Sequence, residues 1–531
     1  MEKSSSTPSQ EVGGEKPLTQ VVSFHNQGDT ENGRISGEDA LGYKQELKRN
    51  LSMFTALGLG ASIIAAPFGL CTSASFALVN GGTITYIFGW LMLSIISVCI
   101  ASSLGEIASV YPTSGGVYVW TAHLAPRRFA AVASFIVGWV SLVANILLCL
   151  SIAFGEAQLI MAAISVFRNN EWAPSPWHVV LMHFAIMIVA CLVNAWGVRG
   201  NLLEPINTFS IYWTGATAVI ICVVVLAMSD DKRTAHEVFA QWQNASGWTD
   251  GWSYFVGLLT PAYVLTGYGT LCYLADEVRN PQRAVPRAMV GCVFAASLTG
   301  FIFIIPLSFV FPKDLSQILG AAAGQPLPVA FSIATQSAGG AFGLLFLILV
   351  IGLMASIGSL TVASRCIWAF SRDNGVPFAR IWEKVDKYHQ MPLNSLIVTT
   401  VITSLLGCIY LGNSGAFNAF TGAATILLGI SYVTCVAMSM FDRRRQMVGA
   451  PWSLGKAGFA INSVALAWVL FSIILFCFPT TKEVDASSMN YASVVVVFFT
   501  LVATIWYFVA ARRLYKGPDL DAAKPVHDAA S

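Results

Sequence analysis

About twelve hydrophobic runs follow one another along this chain of 531 residues, each close to the roughly 20 residues that a helix needs to cross a bilayer. They centre near Ile64, Leu93, Trp139, Ile188, Ala218, Thr266, Gly300, Leu353, Val401, Leu428, Leu470 and Val502. Inside hydrocarbon the backbone must satisfy its own hydrogen bonds, so such runs fold as helices. The predicted fold class is an all-α integral membrane protein. With 55% hydrophobic and 11% charged residues, the composition is not that of a soluble domain. A formal charge of +2 gives no footing for a nucleic-acid partner. The 11 cysteines are scattered singly, nearly all within apolar runs, and form neither a disulfide framework nor a metal spacing. No cofactor or metal is expected.

Basic residues orient the chain. With the N-terminus inside, both tails and the even-to-odd connections carry 24 of the 30 Lys and Arg. Both termini are therefore expected to be cytoplasmic, in a protein surrounded by lipid at the plasma membrane. Residues 1–50 are polar, lack the apolar core of a secretory signal, and read as a mostly disordered tail. Residues 51–511 form the helical domain, and 512–531 a second short polar tail. The longest outer connections are Ser229–Trp252 and Phe311–Gly339, the latter apolar enough to hold a surface helix. Asn244-Ala245-Ser246 in the former is a glycosylation acceptor.

Two of the runs are broken by glycine and proline at matching depths. The first, from Leu51 to about Leu78, holds Gly58, Gly60, Pro67 and Gly69. The other, from about Tyr254 to Ala275, holds Gly257, Pro261, Gly267 and Gly269. At the rise of a helix, Gly60 lies roughly 14 Å and Thr266 roughly 18 Å into a core about 30 Å thick. Close packing or a kink explains a single case. A pair near the midplane, where unsatisfied backbone costs most, marks the substrate site of a secondary transporter.

Polar residues in or beside the spans each have a functional and a bland reading. Glu106 fits a cytoplasmic gate, paired with Arg279, Arg365 or Arg372, or else a helix end facing water. Glu156 lies about 40 Å of helix beyond Arg128, which places it at the outer surface, solvated or in a vestibule. Asn145, His183 and Asn194 read as interhelical hydrogen-bonders.

Gly60-Ala61-Ser62-Ile63-Ile64-Ala65-Ala66-Pro67 resembles the first-helix break of the amino acid-polyamine-organocation superfamily. LGEIASVYPTSGGVYVW (Leu104 to Trp120) resembles that family's loop between helices two and three. GYGTLCYLADEVRNPQRAVPRAMV (Gly267 to Val290) resembles its sixth-helix signature. ASRCIWAFSRDNGVP (Ala363 to Pro377), Met391-Pro392-Leu393-Asn394 and RRRQMVGAPWSLGK (Arg443 to Lys456) continue the match in order. The nearest flavour is the fungal branch of amino acid, GABA, choline and polyamine permeases.

The resemblance implies a LeuT-type fold: helices one to five and six to ten as inverted repeats, eleven and twelve peripheral, and alternating access around a central site. Half-helix N-termini there would offer N–H groups to a carboxylate, and C-terminal ends carbonyls to an ammonium. Carried over by residue, Gly60, Ala61, Ser62 and Ile63 would meet the polar head of a small nitrogen-containing substrate. Thr266, Gly267 and Tyr268 would line the facing break, and Tyr263 would close over the substrate. Gly269 stands where many relatives carry an acid, which weakens the case for a polycation and leaves a zwitterion, a GABA-like amino acid or choline. Ser356 and Ser359 could join carbonyls of helix one in a coupling-cation site, or be small packing residues. The fifth span lacks the lysine that some proton-coupled relatives carry at a sodium position. Proton coupling remains the favoured reading over sodium. A nutrient sensor of the same fold is the alternative. A membrane enzyme would need a His, Glu or Cys constellation at one depth, and none is present.

Overall fold

The computed structural model describes residues 51–520 apart from 169–171, 198–202, 387, 389–390, 414, 486–488 and 516; the expected N-terminal tail and residues 521–531 lie outside the described residues. Among the described residues, twelve helices are long and apolar enough to cross a membrane. They are span 1 (Met53–Val79), span 2 (Gly82–Val110), span 3 (Ala130–Phe167), span 4 (Pro176–Gly197), span 5 (Leu203–Met228) and span 6 (Asp250–Glu277). Span 7 (Pro281–Val310), span 8 (Ala338–Arg372), span 9 (Leu393–Leu411), span 10 (Ala416–Phe441), span 11 (Gly455–Leu475) and span 12 (Ala492–Leu514) follow.

The repeat is visible in the lengths. Spans 1 to 5 have 27, 29, 38, 22 and 26 residues, and spans 6 to 10 have 28, 30, 35, 19 and 26. Each half opens with a broken span, and its third member is the longest. Burial separates centre from rim: in the most apolar stretch of each span, 89% of span 3 and of span 6 is buried, against 17% of span 12. Phe294, Phe346 and Phe508 point outward from spans 7, 8 and 12 and stay exposed, as a bilayer-facing surface requires.

Local chemistry sets the ends of the elements. Ser52 caps span 1 by accepting the Thr55 N–H at 3.1 Å, and Ser337 caps span 8 through the Gly340 N–H at 3.3 Å. Spans 1 and 6 run antiparallel and are tied together at both faces. Where the chain enters, the Leu51 N–H donates to Glu277 O and the Arg279 N–H to Leu51 O, both at 2.9 Å. At the opposite face, Asn80–Gly81 pairs antiparallel with Gln243–Asn244.

The connection after span 7 does contain a helix, Pro326–Thr335, and it is packed down rather than lying free. Leu327 and Phe331 are fully buried. Gln325 donates to Thr72 O and Gln158 Oε1, each at 3.3 Å, and so closes the opposite face over spans 1 and 3.

Candidate functional site

In span 1 the helix Met53–Ile64 ends at Ala65, which is left-handed (φ 43°, ψ 53°), and a second helix, Ala66–Val79, restarts with proline at its head. Ala65 still bonds to Ala61 O, and Gly69 to Ala65 O. Pro67 has no N–H to offer Ile63 O. With Ala65 outside both helices, the carbonyls of Ser62, Ile63 and Ile64 and the N–H groups of Ala66 and Phe68 lose their helical partners four residues along. In span 6 the helix Leu259–Val264 stops, Gly267 takes φ 92°, and the chain continues as a 3-10 helix, Tyr268–Glu277. At mid-depth, two C-terminal ends and two N-terminal ends thus present unpaired carbonyls and N–H groups. That set complements a molecule with one cationic and one anionic end.

Spans 1, 3, 6 and 8 enclose this polarity. A side chain at Gly267 would meet Ile63 Cγ2 at 3.1 Å and Leu148 of span 3 at 3.5 Å. One at Gly358 would meet Ile63, Leu59 and Ser62. Ser62 is 1% exposed and its hydroxyl has no partner among the described residues, as is true of Asn145 Oδ1 on span 3. A buried polar atom without a partner is costly unless a ligand completes it. The Tyr263 and Ser151 hydroxyls meet at 3.0 Å, joining span 6 to span 3 on the side of the opposite face.

Several expected positions move. Gly60 is not the break: it lies inside a continuous turn, where a side chain would strike Leu271 and Cys292 at 2.9–3.0 Å. It is a packing glycine against spans 6 and 7, and the interruption falls at Ala65, in front of Pro67, because the proline withholds the donor. Ala61 offers its carbonyl to Ala65. Thr266 and Tyr268 line a small cavity shared with spans 2, 10 and 11 and lined also by Ser97, Tyr432 and Ser472. Gly267 of that triplet faces spans 1 and 3. Any side chain at Gly269 would collide with the Tyr432 ring, at 2.5 Å from Cζ. Tyr432 has taken the space that an acid at 269 would need.

The closure on the chain-entry face is ionic, with partners other than those expected. Glu106 accepts from Arg444 Nη2 at 2.6 and 2.7 Å and from the Leu454 N–H at 2.9 Å. It therefore fastens the connection between spans 10 and 11, not Arg279 or Arg365. Arg365 of span 8, 1% exposed, donates to Glu277 at 2.9 Å. Arg372 lies 3.5 Å from Asp276 and donates to Ser114 Oγ, which itself bonds Asp276. Arg279 gives its backbone N–H to Leu51. The acidic pair Asp276-Glu277 sits inside the Gly267–Val290 motif, where an acidic doublet at the end of a broken span was the available signal.

Glu156 is also corrected. It is 3% exposed, not solvated, because the second half of span 1 covers it, and its carboxyl accepts from Ser356 Oγ at 2.9 Å. Ser356 is thereby committed, and Ser359 Oγ is turned to Ser356 O at 3.1 Å, so the two hydroxyls do not converge on the carbonyls of span 1. Asn194 donates to Ile357 O at 3.1 Å, and His183 Nε2 lies 3.4 Å from Thr403 O. Both bridge helices. Asn244 Nδ2 donates to Trp248 O and Asp250 Oδ1, so a glycan would leave one N–H for two acceptors.

An all-α chain of twelve spans, with two antiparallel interrupted helices at its centre, is a membrane transporter in class. The chain belongs to the amino acid permease family, whose model matches residues 51–499. It is 30% identical to a choline transporter of Saccharomyces cerevisiae over 87% of this chain and 81% of that one. It is 32% identical to the polyamine transporter TPO5 of the same yeast, over 91% and 79%. It is 30% identical to the amino-acid permease BAT1 of Arabidopsis thaliana, over 90% and 95%.

Proposed function

We propose that the protein is a secondary active transporter that carries a small amino acid or related amine, GABA-like or choline-like, across the plasma membrane by alternating access. The observation that carries this reading is the facing pair of breaks at Ala65 and Gly267, with unpaired carbonyls and N–H groups from both spans beside the unpartnered Ser62 hydroxyl. Ser62, Ile63 and Gly267 line the substrate, with Tyr263 as its lid. Carbonyls of Ser62, Ile63 and Ile64 take the nitrogen end, and the N–H groups of Ala66 and Phe68 take a carboxylate. Choline lacks the carboxylate and would rest on carbonyls and on the Tyr263 ring through cation–π contact. The relatives named as choline, polyamine and amino acid carriers share a cationic nitrogen. A polyamine is disfavoured because Tyr432 occupies the place of the acid that would hold its second charge.

The chain-entry face is the cytoplasmic one and the Arg365–Glu277 and Arg372–Asp276 pairs are its gate. The Tyr263–Ser151 contact closes the outer side. The coupling ion is a proton, since Ser356 and Ser359 leave no hydroxyl pair to hold sodium. Uptake by proteoliposomes, with a competition panel of alanine, GABA, choline and putrescine, tests the substrate. GABA, alanine or choline should compete and putrescine should not; competition by putrescine alone overturns the reading. For orientation, cysteines at the exposed positions Asp250 and Lys384 should be reached from outside only at the first. A deglycosidase-sensitive shift abolished by Asn244→Gln would place a glycan on the same face.

A further inference from the structure

Glu156 is a carboxyl in the interior of a membrane domain with a seat built around it. It lies where the second half of span 1, span 3 and span 8 meet. Gly352 and Ser356 occupy one face of span 8, four residues apart. A side chain at 352 would strike Phe68 of span 1 at 2.6 Å and the Glu156 carboxyl carbon at 3.3 Å. Gly352 thus clears the space, and Ser356 supplies the hydrogen bond to Oε2. Gly155, the preceding residue, does the same on the adjoining side, with Thr72 of span 1 and Phe417 of span 10 at 3.4 Å.

The carboxyl has no ion-pair partner among the described residues. The titratable groups on the surrounding elements are uncharged or distant. Cys71 lies in span 1 and Cys149 two turns away on span 3. His183 of span 4 and Tyr410 at the end of span 9 lie against Phe154, and Tyr263 of span 6 is bonded to Ser151. An ionised carboxylate in such a place, with one hydroxyl donor and no cation, is prohibitively costly, whereas the neutral acid is tolerated.

We propose that Glu156 is the proton-binding site that couples transport to a proton gradient. This rests on the transporter reading above and adds the residue and the order of events. When the second half of span 1 parts from spans 3 and 8, water enters the seam and the carboxyl ionises. A proton from that face then forms the O–H bond on Oε1, Oε2 being occupied by Ser356, and only the neutral acid permits the seam to close. After the opposite side opens and rehydrates, the O–H bond breaks and the proton passes to water there. The seam cannot close on the charged form, so closure and proton loading are linked.

The test uses purified full-length protein in liposomes holding a trapped pH dye, with radiolabelled alanine, GABA and choline run in parallel. Wild type should accumulate at least one of them when the outside is acid, with acidification of the lumen. Glu156→Gln should lose accumulation and lumenal acidification, yet exchange labelled for unlabelled compound at a rate within about threefold of wild type. Ser356→Ala, which keeps the carboxyl, should move the pH at which uptake is half-maximal, and this reads the site if the Gln variant fails to fold. Proton-driven accumulation that survives in Glu156→Gln overturns the proposal, as does a pH profile unmoved by Ser356→Ala. Accumulation driven by sodium rather than pH in wild type also overturns it while leaving the substrate site intact. Absence of binding and exchange of every compound by wild type would instead refute the transporter reading.

Discussion

Spans 1 and 6 are interrupted at similar depth, but they break differently. Span 1 turns on one left-handed residue, Ala65, and is α-helical on both sides, with proline setting the restart. Span 6 loses its α-helix at Val264, crosses Gly267 and never regains it, running on as ten residues of 3-10 helix. Its final residues, Asp276 and Glu277, carry the acids that meet Arg372 and Arg365 of span 8. Span 1 contributes no charge to either closure. The 3-10 form satisfies the backbone less well than an α-helix, so span 6 is the easier of the two to remodel. Under the proposed reading, span 1 is the stiffer wall of the site, and span 6 joins the site to the ionic pairs with span 8.

The strongest attempt to break this contrast is Gly267→Leu. At φ 92° a leucine is strained, and its side chain starts 3.1 Å from Ile63. Binding should weaken by about 100-fold or more, equivalent to about 2.8 kcal/mol, while the protein still reaches the membrane. Gly138→Leu is the control: its side chain would strike the Phe370 ring at 2.5 Å inside continuous span 3, and expression rather than binding should fail. Equal loss of expression in both would make the span 6 break a structural kink.

The next effect in size concerns the gate. Arg365→Glu should slow turnover by roughly tenfold or more, because it leaves buried charges unmatched, with little change in substrate affinity. Combining it with Glu277→Arg should restore part of the rate. Glu106→Gln removes a charge that holds Arg444, outside this pair, and should reduce thermal stability more than rate. A rate loss from Glu106→Gln equal to that from Arg365→Glu would erase the distinction.

Tyr263→Phe should be milder. It deletes one neutral hydrogen bond to Ser151, worth ~1 kcal/mol, so substrate release to the outer side should quicken by about fivefold in efflux assays. The smallest effect is expected from Ala65→Gly. Relief of left-handed strain, ~1–2 kcal/mol, is partly offset by the backbone entropy of glycine, ~0.5–1 kcal/mol. The melting temperature should rise slightly with uptake nearly unchanged; a large loss of uptake would give span 1 the pliancy assigned here to span 6.

The twelve spans were legible in the chain because apolar length is a local property. Gly267 was legible too, since a turn with positive φ calls for glycine. Ala65 was not: nothing about alanine announces a left-handed residue, and the cue lay two positions on, in a proline that withholds its N–H. The partner of Glu106 lies 338 residues away, and no local pattern encodes such a distance. Depth arithmetic along span 3 puts Glu156 at the outer surface, because it cannot supply the half-helix of span 1 that covers the residue.

The paired backbone ties at the two ends of spans 1 and 6 have a mechanical consequence. A helix fastened to its neighbour at one end can slide or splay; fastened at both, by Leu51 with Glu277 and Arg279 and by Asn80–Gly81 with Gln243–Asn244, it cannot change its offset without breaking a ladder. The remaining soft motion is a tilt of the two together, like a see-saw plank, with the interruptions near the pivot. Tilt that lifts the plank from its support at one surface presses it down at the other. Under the alternating access proposed above, this geometry of hydrogen bonds would oppose standing open to both compartments before any substrate or ion is bound.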